Sequence, residues 1–320
     1  MARIVFMGTP EFAVASLDAL HQDGSNIAAV VTAPDRRSGR GQRVSKSAVK
    51  VRAEELGIPI LQPTNLKDPE FVHTLAGFHA DLFVVVAFRM LPEVVWSLPR
   101  IGTLNLHASL LPDLRGAAPI NWSIIHGYER TGVTTFLIDD RIDTGDVLLQ
   151  EAVSIGPEMT AGELHDVLMS IGAGLLVRTV HGLLEGSIQR KPQATHGVES
   201  LRPAPKLHPE DGRIDWRRGI HPVHDLIRGL SPYPGAWVEW SLDGNVSRMK
   251  VLQARYADGP SPDGPGEIRQ FDERMLVSCL DGWIELMTVQ LEGRRAMSVG
   301  ELVRGSRIDW NRAKAIGPNG

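Results

Sequence analysis

Cysteine is nearly absent from this chain: Cys279 is the only one among 320 residues. A lone thiol excludes a disulfide framework and any cysteine-rich metal site, and its place in a β-rich stretch marks it as a buried strand residue. The 11 histidines show no metal-ligand spacing, so no metal is expected. No run approaches the roughly 20 uninterrupted apolar residues of a membrane helix, and the N-terminus lacks the basic and apolar regions of a signal peptide. A cytoplasmic protein without a membrane partner is expected. Excess charge is missing as well: the formal net charge is −4, so any site for a polyanion must be a local concentration of cations. The first turn, Gly8-Thr9-Pro10-Glu11-Phe12, lacks the G-x-G-x-x-G pattern of a dinucleotide site. Pro10 removes an amide and Glu11 adds negative charge where a pyrophosphate would approach, which argues against a nicotinamide-dependent oxidoreductase.

The N-terminal half alternates β-rich runs with helical stretches. Residues 2–7, 27–32, 58–61, 82–87 and 102–107 read as strands and 47–56 as a helix. An earlier helix follows Gly8-Thr9-Pro10 and carries Pro10 and Glu11 in its first turn, where both are favoured. The unbroken apolar run Phe83-Val84-Val85-Val86-Ala87 suits a strand covered on both faces, and the whole pattern is that of an open, mostly parallel α/β sheet. A capping box, Thr160-x-x-Glu163, opens a long helix with Leu164, Val167, Leu168, Ile171, Leu175 and Leu176 at helical spacing. Prolines 192, 203, 205 and 209, with few bulky apolar residues around them, mark a linker. Beyond it, short runs at 236–240, 249–252, 266–269, 275–278 and 283–286 suggest a small barrel, with a short helix near 299–304. The expected division is a catalytic domain over 1–186, a linker over 187–208 and a second domain over 209–320.

Chemistry concentrates at Asn105-Leu106-His107. Strand alternation sends Leu106 to one face and puts Asn105 and His107 together on the other. Asn105 has an amide donor for an oxygen that becomes negative, and His107 is the side chain able to give and take protons near neutrality. Asp143, in the turn Ile142-Asp143-Thr144-Gly145, adds a carboxylate, although Asp-Thr-Gly also suits a plain reversal between strands at 135–138 and 147–150. In open α/β sheets ligands sit beyond the carboxyl ends of the strands, so Phe88, Arg89, Met90 and Leu91 should line one crevice with the 105–112 segment. The set suits acyl transfer without a Ser or Cys nucleophile.

Longer motifs around these residues resemble one family. Phe6-Met7-Gly8-Thr9-Pro10-Glu11-Phe12-Ala13, Asn105-Leu106-His107-Ala108-Ser109-Leu110-Leu111-Pro112, Arg115-Gly116-Ala117-Ala118-Pro119-Ile120, Asp143-Thr144-Gly145 and Ser231-Pro232-Tyr233-Pro234-Gly235-Ala236-Trp237 are similar to segments of the methionyl-tRNA formyltransferases. The resemblance runs through nearly the whole chain. It implies a Rossmann-like catalytic domain and an OB-like β-barrel domain. The implied reaction moves a formyl group from 10-formyltetrahydrofolate, a co-substrate, to the α-amine of initiator methionyl-tRNA. It implies Asn105, His107 and Asp143 as the catalytic set. Ser109, Leu110, Leu111 and Pro112, with Phe88, Arg89, Met90, Leu91, Asp139 and Asp140, would bind folate. Arg89 departs from the small or neutral residue usual in the family, so its side chain could meet the folate tail or point to solvent.

Within 35–52 the charge reverses: Arg36, Arg37, Arg40, Arg43, Lys46, Lys50 and Arg52 face Asp35 alone. The glycines around Arg40 forbid a helix and suggest a mobile basic loop suited to phosphate, though a plain solvated surface has the same composition. By resemblance this insertion engages the acceptor stem of tRNA, and Arg36, Arg37, Arg40, Arg43, Lys46 and Lys206 are the expected tRNA-binding residues. Trp216, Tyr233, Trp237, Trp240 and Trp283 are expected mostly in the barrel core. A monomer is expected. Two other readings stay open: a folate-dependent formyltransferase acting on a small amine such as an amino sugar nucleotide, and a noncatalytic nucleic-acid-binding protein.

Overall fold

The computed structural model describes residues 2–38, 43–193, 201–259, 264–306 and 308–317. The chain divides into two compact units, the first made of Met1–Gly116, Thr131–Val153 and His165–Pro203, the second of Ala117–Arg130, Ser154–Leu164 and Ala204–Gly320.

In chain order the elements up to the long helix are β1 (Arg3–Gly8), α1 (Glu11–Gln22), β2 (Asn26–Val31), β3 (Arg36–Ser38), β4 (Arg43–Ser45), α2 (Ala48–Glu55), β5 (Ile60–Leu61), α3 (Pro69–Ala76), β6 (Leu82–Val86), α4 (Glu93–Trp96), β7 (Gly102–His107), α5 (Pro119–Ile125), β8 (Arg130–Leu137), β9 (Val147–Ser154) and α6 (Ala161–Glu185). Seven strands form one sheet in the order β5-β2-β1-β6-β7-β8-β9. The first five run parallel and β8 is antiparallel to β7. The β6 run is buried at every position, as a strand covered on both faces must be. One face packs Val5, Met7, Phe83 and Val85 against Phe71, Leu75 and Val95.

Pro10 stands at the N-cap of α1 rather than within its first turn, which begins at Glu11. Gly8 ends β1 because the helix returns too closely for a side chain: a Cβ there would lie 2.6 Å from the Ala13 Cβ and 3.1 Å from the Val86 carbonyl oxygen. α6 is long and apolar enough to cross a membrane by length and composition. Its apolar face is used within the first unit, where Gly172 receives Leu106 and Thr179 hydrogen-bonds Thr135 at 2.9 Å.

The second unit contains α5, α7 (Ile220–Gly229), β10 (Ala236–Leu242), β11 (Asn245–Ala257), β12 (Ile268–Phe271), β13 (Arg274–Ser278), β14 (Trp283–Leu291), β15 (Met297–Ser298), α8 (Val299–Gly305) and β16 (Lys314–Ile316). Its sheet runs β12-β13-β14-β11-β10-β16, with β15 on β14. The sheet curls until its ends meet: Glu267 bridges Lys314, and Ala315 N–H donates to the Gly266 carbonyl at 2.9 Å. Closure of this kind removes free edges and matches the OB-like expectation. Trp216, Trp240, Trp283 and Trp310 are buried, whereas Tyr233 is 81% exposed. Cys279 is buried one residue beyond β13, and burial pushes its thiol up to about 12, so it is inert.

Candidate active site

β7 supplies two of the three expected catalytic side chains. Asn105 lies in register with Val85 and Phe136, and His107 with Thr134, while Leu106 turns to the other face and packs on Gly172 of α6. Asp143 comes from the β8–β9 connection, in the left-handed region at φ 53°. Gly145 makes that turn possible, because a Cβ there would stand 1.7 Å from the Leu137 carbonyl oxygen. Asp139 and Thr144 fasten the same turn: Asp139 Oδ1 accepts from Thr144 Oγ1 at 2.7 Å and from Arg141 N–H at 3.1 Å. Asp140 beside it is exposed.

His107 is 7% exposed, and both ring nitrogens face oxygens. Nε2 lies 3.0 Å from the Leu114 carbonyl, and Nδ1 lies 3.7 Å from Asp143 Oδ2. A carbonyl only accepts, so Nε2 carries the proton facing Leu114 and Nδ1 is the nitrogen turned to the carboxylate. At 3.7 Å the acid stands beyond direct hydrogen-bond distance of the ring. Asp143 Oδ2 also accepts from Gly116 N–H at 2.9 Å, which fixes the direction of the carboxylate.

The Ser109, Leu110, Leu111 and Pro112 segment leaves β7 directly and is held by side chains from the neighbouring strands. Thr134 Oγ1 donates to the Ser109 carbonyl at 2.6 Å and accepts from Leu111 N–H at 3.1 Å. Gln150 Nε2 donates to the Leu111 carbonyl at 2.8 Å and to Thr134 Oγ1 at 2.9 Å. Ser109 Oγ donates to the Asp113 carbonyl at 2.7 Å, so the segment is a shaped backbone rather than a loose loop. Thr134 and Gln150 were invisible as functional residues in the sequence, since a Thr and a Gln on strands carry no motif.

Ala87, at φ 46°, turns the chain out of β6 into Phe88, Arg89, Met90 and Leu91. Leu91 is buried and Phe88 packs on the core, whereas Met90 is 72% exposed. Arg89 is exposed, and its guanidinium donates to the carbonyls of Thr64, at 3.1 Å, and of Pro63. Partial burial there, and secondarily nearby Arg36, lowers its pKa below the ordinary arginine value. A surface recess of about 500 Å³ opens beside this loop, lined in part by Asn65, Lys67, Arg89 and Met90. None of Asn105, His107 or Asp143 lines it.

The flanks of the basic segment pair as an antiparallel ribbon, Arg36 with Ser45, Arg37 with Val44 and Ser38 with Arg43. The glycines around Arg40 pointed to a loop, and the flanks carry no apolar alternation that would have announced strands. Arg40 lies outside the described residues, as do the side chains of Arg37 and Arg43. Arg36 is exposed. Acids from α1 and α2 meet several cations that look unopposed along the chain: Lys46 pairs with Glu54 at 2.7 Å and Arg52 with Asp18 at 2.6 Å. Lys50 pairs with Asp35 at 2.6 Å. Lys206 is exposed in the second unit. Among the described residues no group of three or more His, Cys, Asp or Glu side chains could hold a metal ion.

Residues 2–180 match the family model described as formyl transferase, and residues 206–307 match that of the formyl transferase C-terminal domain. The chain is 45% identical over 309 residues to a methionyl-tRNA formyltransferase of Bacteroides fragilis, covering 96% of this chain and 95% of the relative. A methionyl-tRNA formyltransferase of Flavobacterium johnsoniae is 43% identical, with 95% and 96% covered. Among solved structures, an N-formyltransferase from Helicobacter canadensis in complex with folinic acid and dTDP-3-aminofucose covers 89% of this chain and 98% of its own. Its TM-score is 0.64 at 18% identity, a likeness of fold. A phosphoribosylglycinamide formyltransferase from Bacillus halodurans covers 57% of this chain and 95% of its own, at TM-score 0.50 and 25% identity.

Proposed function

Since the chain belongs to the formyl transferase family and is 43–46% identical, over about 95% of its length, to methionyl-tRNA formyltransferases, we infer that it formylates the α-amine of initiator methionyl-tRNA for translation initiation. The co-substrate 10-formyltetrahydrofolate supplies the formyl carbon. The observation that carries the assignment of the site is the placing of Asn105 and His107 on one face of β7 with Asp143 3.7 Å from the imidazole.

In this reading Asn105 donates to the oxygen that becomes negative as the amine adds to the formyl carbon. Protonated His107 adds positive charge to the same place. Asp143 orients that charge and helps carry the amine proton to the folate nitrogen, which leaves as the oxyanion collapses and its bond to the formyl carbon breaks. An α-amine with a pKa near ~7.7–8.0 has an appreciable neutral fraction at pH 7, so no covalent enzyme intermediate is required. Ser109, Leu110, Leu111 and Pro112, with Phe88, Met90, Leu91, Asp139 and Asp140, would hold the folate. The shaped backbone of 109–112 and the exposed apolar Met90 suit a flat, partly apolar ring with polar edges. Arg89 would support this loop through its bonds to the 63–64 carbonyls.

Arg36, Arg37, Arg40, Arg43, Lys46 and Lys206 would meet tRNA phosphates. The catalytic part would extend past the expected 1–186 to the 191–193 segment that packs in the first unit, and 209–320 would bind tRNA through the OB-like barrel. The protein would act as a cytoplasmic monomer, which sedimentation at working concentration checks. The decisive experiment offers 10-formyltetrahydrofolate with initiator Met-tRNA, free methionine or a nucleotide-sugar amine. Formylation of Met-tRNA, lost in His107→Ala, is expected; transfer to the small amine alone would overturn the acceptor and leave the catalytic face standing.

A further inference from the structure

Gln193 lies in the stretch whose composition reads as a linker, yet its side chain makes four hydrogen bonds inside the first unit. Nε2 donates to the carbonyls of Asp143 and Gly145, both at 2.9 Å. Oε1 accepts from Arg115 Nε at 3.2 Å and Nη2 at 2.5 Å. The amide can be oriented only one way, since two carbonyls require its NH2 and a guanidinium requires its oxygen. Two residues earlier the backbone is also pinned: Lys191 and Val147 exchange hydrogen bonds of 2.8 and 2.9 Å.

These bonds close a ring around Asp143. Gly116 N–H holds its carboxylate, Gln193 holds its carbonyl, Arg115 holds Gln193, and one peptide bond joins Arg115 to Gly116. The ring matters because Asp143 makes no direct hydrogen bond to His107 at 3.7 Å. The imidazole does not set the position of the acid, so the turn that carries the acid must.

We propose that Gln193 is a positioning residue for formyl transfer, which, by tying Arg115 to the carbonyls of Asp143 and Gly145, sets the distance and direction of Asp143 from His107. This rests on the catalytic reading of Asp143 and His107 above. A displacement of about 1 Å in such a group can cost on the order of 10²-fold in rate.

The test compares Gln193→Ala, Gln193→Glu and Asp143→Asn in the full chain, measuring kcat, both KM values, the pH dependence of kcat and Tm. Gln193→Glu keeps an acceptor for Arg115 but loses the donor to the two carbonyls, so it separates the two halves of the bridge. Both Gln193 variants should lose roughly 10- to 100-fold in kcat. KM for 10-formyltetrahydrofolate and Met-tRNA should stay within about twofold, and the pH profile should move toward that of Asp143→Asn. Arg115→Met added to Gln193→Ala should cost little more, because one ring is already open. A Gln193→Glu enzyme with lowered Tm but unchanged kcat and pH profile would show a merely structural role and overturn the proposal. Near wild-type turnover in Asp143→Asn would remove its foundation, and would show that the catalytic reading had failed rather than the bridge.

Discussion

His107 is held at Nε2 by the Leu114 carbonyl at 3.0 Å and turns Nδ1 to Asp143 at 3.7 Å, so its ring cannot be exchanged for another polar group without loss. His107→Ala should lower kcat by about 10²- to 10⁴-fold, the usual worth of a positioned acid–base group, with the folding transition retained. Asn105→Ala should cost roughly 10²- to 10³-fold in kcat with little change in either KM, because its donor matters most when the oxygen becomes negative. Steady-state kinetics on both acceptor and donor check these values. At this scale the pairing of Asn105 with His107 could be read from the chain, since Asn-x-His on a strand puts two polar groups on one face whatever the fold around it, whereas Asp143 reads equally as a turn residue until the resemblance is considered. The groups that hold the trio could not. Thr134, Gln150 and Gln193 are ordinary polar residues until pairing of β7 with β8, and return of the 191–193 segment to β9, bring them within hydrogen-bond distance.

Turns and caps decide whether the elements deliver those side chains correctly. Gly145→Ala should abolish activity and destabilise the first unit, because the new methyl would meet the Leu137 carbonyl in a β8–β9 turn with no room for it. Thermal melting and turnover of that variant check both effects. In the second unit α8 begins with a reciprocal capping box: Ser298 Oγ accepts from Glu301 N–H at 3.2 Å and Glu301 Oε2 accepts from Ser298 N–H at 2.9 Å. Ser298→Ala should therefore cost about 1 kcal/mol in denaturant unfolding and leave catalysis intact. The helix over 299–305 and the strand β7 were legible because their signals are local. The β3–β4 ribbon was not, because five of its six residues carry charge or a hydroxyl and Val44 alone makes no period-2 apolar pattern.

For the whole molecule, electrostatics sets two further expectations. Arg40→Ala should weaken formylation of Met-tRNA and flatten its salt dependence while leaving binding of a folate analogue unchanged, as for a single phosphate contact. Equal loss of both would instead indicate a folding defect. In the barrel, Glu285 is 4% exposed between Arg274 at 2.7 Å and Arg255 at 2.9 Å. The Arg274 hydrogen bond, aided by Arg255 and opposed by burial, holds its carboxyl below the ordinary value of 4.5. A lowered folded-state value means that this stabilisation is present above that ordinary value and fades as pH falls through the folded-state one. Tm measured against pH should therefore drop below about 4.5, and Glu285→Gln should lower Tm at neutrality while shrinking the acid drop.

Composition and spacing alone already dictated the α/β alternation and the barrel-like second half, because each depends on residues near one another along the chain, and longer local motifs carried the resemblance to the family. Folding decided the rest. It brought Asp18 and Glu54 onto cations that look unopposed in sequence, tied Arg89 to the carbonyls at 63 and 64, and set Gln193 behind Asp143. The physical reason is the same in each case. A hydrogen bond or ion pair depends on distances of about 3 Å between groups that lie up to dozens of residues apart, and no local pattern encodes them.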